Sequence, residues 1–355
     1  GWEPPALPEA SSSIILSGGH QPIRSEIVHA AALASQVLSL TYFHRISQDD
    51  YRLLLRHLIQ IGHIQTTSQG GLIIGLKGER IVNSFKFYGV FQENEEFTVR
   101  YQSQELGTTV LPPPAGEKIA IAGRVWLVCD VDVKKHVVYV EAIKGRVPAY
   151  FGQCPGDIHD RIMERMRRVL QEETAYPYLM SNAVARLDQA RRTAIQSGAE
   201  NRHLIHLGGK MWCLLPWMGT YSFLALERFL KIRCAPRLGL KKLDSSRPFF
   251  IQFSMDGDED DFYRVVKEEV NKGFKPSDLL YPKEVPIFDK YDEYVPVELL
   301  RKGFAYGILN CDSMREKVKQ WIEERHGNAQ SPTAAAGSGP RHLSSASMSQ
   351  AAYRR

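Results

Sequence analysis

The 355-residue chain has no G-x-x-x-x-G-K-[ST] loop, whose backbone N–H groups would cradle phosphates, so no nucleotide-hydrolysing site of its own is legible. It has no G-x-S-x-G elbow for a serine nucleophile. Its five cysteines, Cys129, Cys154, Cys213, Cys234 and Cys311, include no C-x-x-C pair, which argues against a zinc ribbon or a disulfide framework. Scattered thiols of this kind suit a reducing cytoplasm, the expected localisation. No apolar run approaches the roughly 20 residues that span a bilayer, and no signal-like segment opens the chain, so no membrane partner is expected.

What is present is an ordinary globular composition, 43% hydrophobic and 24% charged, long enough for two or three domains. Net charge is +5, but 45 basic and 40 acidic residues are well mixed, so charge alone does not name a polyanionic partner. The first 13 residues are Pro-rich, lack an initiator Met and read as a linker or fragment end. The Ser-, Ala- and Gly-rich stretch 328–355 offers almost no large apolar side chain and is expected to be a disordered tail.

Ser47 can cap a helix whose residues Tyr51, Leu54, Leu55, Leu58 and Ile61 repeat at one-face spacing. Gly62 ends it, and HIQTT and GLIIGL follow as a hairpin. With apolar helices at about 25–41, this predicts a winged helix. The runs FKFYGVF, EFTVRYQ, EKIAIAG, RVWLVCDVD and HVVYVEAI then alternate as short strands, predicting a small antiparallel barrel. Helices are expected at 157–170, with Ile158, Ile162, Met166, Val169 and Leu170 inward, and at 181–196. Gly208-Gly209 marks a hairpin between HLIHL and KMWCLLPW. A helix near 220–231, strands RLGLKKL and PFFIQFS, a helix led by DEDD at 258–261, and a last helix with a Ser313–Glu316 capping box complete the pattern.

The acidic run DGDEDD at 256–261 has Asp261 where a calcium loop needs Gly and Lys267 where it needs Glu, and so reads as a helix N-terminus. His203 and His206, three apart on a strand, point to opposite faces, which opposes joint metal ligation. No metal or cofactor is assigned to this chain, and no catalytic residue is named.

The segment 119–170 contains A-G-R-x-W-x-V at Ala122 to Val128, a P-x-aromatic-x-G element at Pro148 to Gly152, and an Arg-rich helix. It resembles the region downstream of the motor in large helicase-related (Lhr-type) superfamily 2 helicases. YGVF at 88–91, LPW at 215–217 and YDEYVPVELLRKGFA at 291–305 extend the likeness over about 40–325. The resemblance implies two RecA-like lobes in cis, N-terminal to this chain, using ATP and Mg²⁺ to translocate 3′ to 5′. It implies that the aromatic of the P-x-aromatic-x-G element, here Tyr150 where the family often has Trp, stacks on a base. The expected partner is single-stranded DNA, or a 3′-tailed duplex or RNA–DNA hybrid.

The residues agree with that partner on their own chemistry, since sequence-independent grip needs cations for phosphates and rings for bases. Lys144, Arg146 and Tyr150 share a Gly/Pro-bounded loop, though a rim tyrosine packed on the barrel is an equal reading. Arg52, Arg56 and Gln60 recur every four residues opposite the apolar face, as a phosphate-facing or a merely solvated stripe. Arg124 lies in the A-G-R strand and completes the candidate set, while Trp126 beside it reads as core. Arg161, Arg165, Arg167 and Arg168 crowd one helix, with Asp157, Asp160 and Glu164 placed to neutralise part of them. The expected organisation is α+β: linker 1–13, winged helix 14–84, barrel plus helices 85–198, an α+β region 199–327 and tail 328–355. Its function is expected to be that of a nucleic-acid-binding accessory region of a helicase, or of a stand-alone winged-helix binding or regulatory protein.

Overall fold

A two-residue strand, β1 (Val28–His29), leads into helix α1 (Ala30–Leu38) and a 3₁₀ turn at Thr41–Phe43. The computed structural model describes residues 27–43, 46–89, 96–110, 112–133, 135–143, 157–288 and 291–329. Helix α2 (Gln48–Gln60) starts where the cap was expected, with the Ser47 hydroxyl accepting from the Asp50 N–H at 3.1 Å. Strands β2 (Ile64–Thr66) and β3 (Gly71–Ile74) form the expected hairpin, and β1 pairs with β3, so the sheet order is β1-β3-β2. Two short helices, α3 (Leu76–Val82) and α4 (Phe85–Tyr88), follow.

The strand expected at FKFYGVF is corrected by α4. Phe85 is 90% and Tyr88 53% exposed, so the alternating aromatics do not mark a half-buried strand. Four aromatic-rich residues fit one helical turn as well as a strand, and the ambiguity is inherent in a run this short.

The second sheet contains β4 (Phe97–Tyr101), β5 (Gln104–Thr109), β6 (Lys118–Ile121), β7 (Arg124–Asp132) and β8 (Val137–Ala142), in the order β5-β4-β8-β7-β6. Two features depart from the expected antiparallel barrel. Strands β4 and β8 pair in parallel, because the chain between β5 and β6 carries the β6-β7-β8 meander around to the far side of β4. The sheet is also an open, curled half-barrel, with no ladder between its edges among the described residues. It curls until a Cβ built on Gly107 of β5 would lie 3.0 Å from Ile121 Cδ1 of β6. Phe97, Val99, Trp126, Val128, Val138 and Val140 fill the concave side, and the Trp126 indole N–H donates to Ile121 O at 3.1 Å. Strand β5 was invisible as QELGTT because, at a sheet edge, it buries little beyond part of Leu106.

Helices α5 (Asp160–Gln171) and α6 (Ser181–Ser197) precede a third sheet of β9 (Leu204–Gly208), β10 (Met211–Leu214), β11 (Lys241–Ser246) and β12 (Phe250–Ser254), ordered β11-β12-β10-β9. The β9–β10 turn is made by Gly208 and Gly209 at φ 105° and 57°, values a side chain would oppose. Helix α7 (Thr220–Phe229), a π-helical turn (Leu230–Cys234) and α8 (Ala235–Leu238) connect β10 to β11. Helices α9 (Glu259–Asn271), α10 (Val297–Gly303) and α11 (Cys311–Ala329) complete the chain. Phe223, Leu226, Phe229, Ile251, Phe253 and Phe262 are fully buried at the centre of this region.

Asp258 caps α9 in a reciprocal box with Asp261, which is the helix start inferred for the acidic run. The capping box expected at Ser313 is corrected: α11 begins three residues earlier than a Ser313 cap would start it, and Asn310 Oδ1 accepts from the Ser313 N–H at 3.2 Å. The Ser313 hydroxyl is used elsewhere, donating to Asp160 at 3.0 Å.

Contacts divide the chain into two compact units, 1–93 with 288–299 and 94–287 with 300–355. The half-barrel and the third sheet therefore share one unit. Among the described residues no helix is long and apolar enough to cross a membrane.

Candidate nucleic-acid interface

Helix α2 has a buried side and an exposed side, the latter carrying Leu53, 38% exposed, among its polar groups. Tyr51 and Leu55 are buried against Leu33, Val37 and Leu38 of α1, while Arg52, Arg56 and Gln60 are exposed on the other side. The two guanidiniums are not equivalent. Arg52 is engaged by Asp49 at 2.7 Å and by Gln48 at 3.4 Å, whereas Arg56 has no ion-pair partner among the described residues. An exposed pair such as Arg52–Asp49 contributes little to stability, so it leaves Arg52 free to exchange its carboxylate for a phosphate. The adjoining turn between β2 and β3 is held by Thr67, whose hydroxyl accepts from the Gly71 N–H at 3.0 Å. Thr67, Ser68, Gln69 and Gly70 carry no charge, so this turn can offer only neutral donors.

On the same unit an apolar cavity of about 530 Å³ is lined by Leu54, Leu58, Ile64, Ile74, Ile81 and Tyr294, among others. His63 meets the Tyr294 ring edge-on at 4.8 Å, and burial, with Lys77 nearby, pushes its pKa down.

Arg124 belongs to the second unit. It is exposed at the first position of β7, immediately after a tight turn in which Ala122 and Gly123 both take positive φ, 51° and 70°. It has no ion-pair partner among the described residues, so its charge faces solvent at a hairpin tip. Lys144, Arg146 and Tyr150 lie outside the described residues. The structure therefore brings Arg52 and Arg56 together on one helix and places Arg124 on a separate unit.

The Arg-rich helix α5 sorts its four arginines. Arg167 turns inward to Glu324 at 3.0 Å and to the Glu200 carbonyl at 3.3 Å. Arg165 pairs with Glu172 at 2.8 Å. Arg161 and Arg168 are exposed without an ion-pair partner among the described residues. The inward face is also corrected: Met163 is buried, whereas Ile162 and Met166 are 53% and 40% exposed. Polar anchors decide this. Asp160 accepts from Gly219 N–H at 2.6 Å and from Ser222 at 2.9 Å, fixing the rotation of α5 over the start of α7. Gly219 permits that approach, since a Cβ there would lie 2.4 Å from Ile158 O.

Buried charges in the second unit are paired. Glu117 and Glu227 share Lys231 and Arg247, with contacts from 2.7 to 3.4 Å. Burial pushes Glu227 up, but the Arg247 and Lys231 cations hold it well below the usual carboxylate range. Arg228 meets Glu284 through two bonds of 2.5 and 2.7 Å, between the Tyr281 and Phe304 rings. His203 has an acceptor at each ring nitrogen, Leu215 O at 3.0 Å and Glu324 at 3.2 Å. Only the doubly protonated ring satisfies both, while burial pushes its pKa down. His206, three residues on, bonds Gly209 O and contacts Trp212 instead. Every carboxylate with a shifted pKa among the described residues is lowered, which suits ion pairing and not proton donation.

Tyr176 and Tyr178, in the connection between α5 and α6, were not singled out in the sequence. The only signal was Y-P-Y in a helix–helix loop. Comparison of the chain with protein-family models, with curated proteins and with solved structures gives no match.

Proposed function

We propose that this chain is a nucleic-acid-binding accessory region of an ATP-dependent 3′-to-5′ helicase acting on DNA or an RNA–DNA hybrid. In this reading it grips the tracking strand, and RecA-like lobes outside the chain use ATP and Mg²⁺. The observation that carries the binding part is the exposed Arg52–Arg56–Gln60 face of α2 beside the β2–β3 hairpin. The order strand, helix, turn, helix, hairpin, with β1 added to β3, supports a winged helix in which α2 takes the recognition position and the hairpin the wing. The helicase part rests on the resemblance of 119–170 and its flanks. Backbone contact without base reading fits a stripe whose groups at 52, 56 and 60 are two guanidiniums and one amide.

The test is binding of the whole chain to a single strand, a 3′-tailed duplex and a hybrid across a salt series. Affinity is expected to fall with salt, and Arg52→Ala with Arg56→Ala to make the salt slope shallower by about 1.4 on a single strand. Tyr150→Ala is expected to lose at least about 1 kcal/mol. Absence of binding to all three at low salt would refute the reading.

A further inference from the structure

The loop 172–180 between α5 and α6 exposes two large side chains, Tyr178 at 78% and Met180 at 77%. Tyr178 is not isolated. Its ring centroid lies 5.7 Å from that of Tyr176, with the planes 37° apart. Tyr176 is in turn anchored between two cations, the Arg165 and Arg191 guanidinium carbons each 5.9 Å from its centroid. Its hydroxyl donates to Glu172 and accepts from Arg165 Nη2 at 2.9 Å. Arg191 is fixed by the Val169 and Thr174 carbonyls, each at 3.0 Å. A ring resting on so constrained a neighbour loses less freedom on binding than one on a loose loop.

Helix α5 leads to this loop with a second feature. Arg161, Arg165 and Arg168 follow i, i+4, i+7 spacing and so share one face, spread over about 10 Å of helix axis. The carboxylates within helical reach of that face are taken, Glu172 by Arg165 and Tyr176 and Glu164 by Lys317, which leaves Arg161 and Arg168 exposed and unpaired among the described residues. Covering these two charges with an apolar protein face would strand them, whereas a phosphate backbone supplies their counter-charge.

We propose that Arg161, Arg168 and Tyr178 form a contact surface for single-stranded nucleic acid, the arginines on phosphates and Tyr178 stacked on an unpaired base. This rests on the reading of the chain as nucleic-acid-binding, and it assigns a place for the strand on the second unit. The clamped Tyr176 is a positioning residue, and its role is to hold the Tyr178 ring.

The experiment is ultraviolet crosslinking of the whole chain to an iodouracil-substituted single strand, with anisotropy titrations of variants. The adduct is expected in the tryptic peptide 169–186, which holds both tyrosines. Tyr178→Ala is expected to weaken binding at least about fivefold, and Tyr178→Phe to retain it. Arg161→Ala with Arg168→Ala should make the salt slope shallower by about 1.4. Affinity that survives these changes but falls with Arg52→Ala and Arg56→Ala overturns this surface and leaves the proposed function standing. No single-strand binding by the unmodified chain at low salt overturns both. If Tyr178→Ala instead abolishes self-association seen by sedimentation, while single-strand affinity is unchanged, the surface is a protein contact and the inference fails.

Discussion

The two units bury their side chains in different ways. The first has a thin core of Tyr51, Leu55 and Leu72 with partly buried neighbours, a sizeable apolar cavity, and no fully buried residue in α1. The second closes a continuous core from Leu204 to Ile322 and adds buried ion pairs. The candidate face of α2 thus sits on the unit with less to hold it in place. Few buried contacts mean low local stability, so this unit is the one whose order a bound partner can most change.

The largest effects should come from the second unit. Phe253→Ala is expected to cost about 3–5 kcal/mol in urea unfolding. Arg228→Met should cost a similar amount by leaving Glu284 buried and unpaired, and adding Glu284→Leu should restore most of it. If Arg228→Met is mild, the pair is better hydrated than its 3% and 5% side-chain exposure implies. In the first unit Leu55→Ala should cost about 2–3 kcal/mol, the low end for such a truncation, because its neighbours are already partly exposed. A loss as large as that of Phe253→Ala would remove the contrast between the units.

Acid should act on the second unit through Glu324. The His203 hydrogen bond and the Arg167 cation hold its pKa at about 2, against an ordinary 4.5. A carboxylate with a lowered folded pKa contributes stability that is present above pH 4.5 and lost as pH falls toward 2. Melting temperature should therefore drop across that window, and Glu324→Gln should flatten the drop. The smallest effect is a gain: Val82→Ile, adding a methyl group to the cavity wall, should stabilise the first unit by about 0.5 kcal/mol or more. A faster amide exchange in α2 after this change would show that the cavity is needed open.

Much of the local structure was legible because its causes are local. Ser47, Asp258 and Gly208-Gly209 act on backbone groups within four residues, and each is found where its chemistry placed it. The Arg52–Arg56–Gln60 stripe follows from helical period alone, and it is exposed. Trp126, mid-strand among alternating apolar residues, is buried. Arg124 was named from its strand, but only the fold shows it at a hairpin tip after two residues of positive φ.

What was not legible depends on residues far apart in the chain. Which face of α5 turns inward was decided by Asp160 meeting Gly219 and Ser222, about sixty residues on, and by Arg167 reaching Glu324. The ion-pair cluster joins Glu117 to Lys231 and Arg247, and no periodicity marks such partners. The parallel pairing of β4 with β8 and the open curl of the sheet are choices between whole strands of similar pattern. The sequence by itself determined the caps at Ser47 and Asp258, the Gly208-Gly209 turn and most helices and strands, because those are settled by steric and hydrogen-bonding preferences within a few residues. Tertiary structure alone decided strand order, the facing of α5 and the clamp on Tyr176, because each depends on which distant groups can satisfy one another's charge and hydrogen bonds once water is excluded.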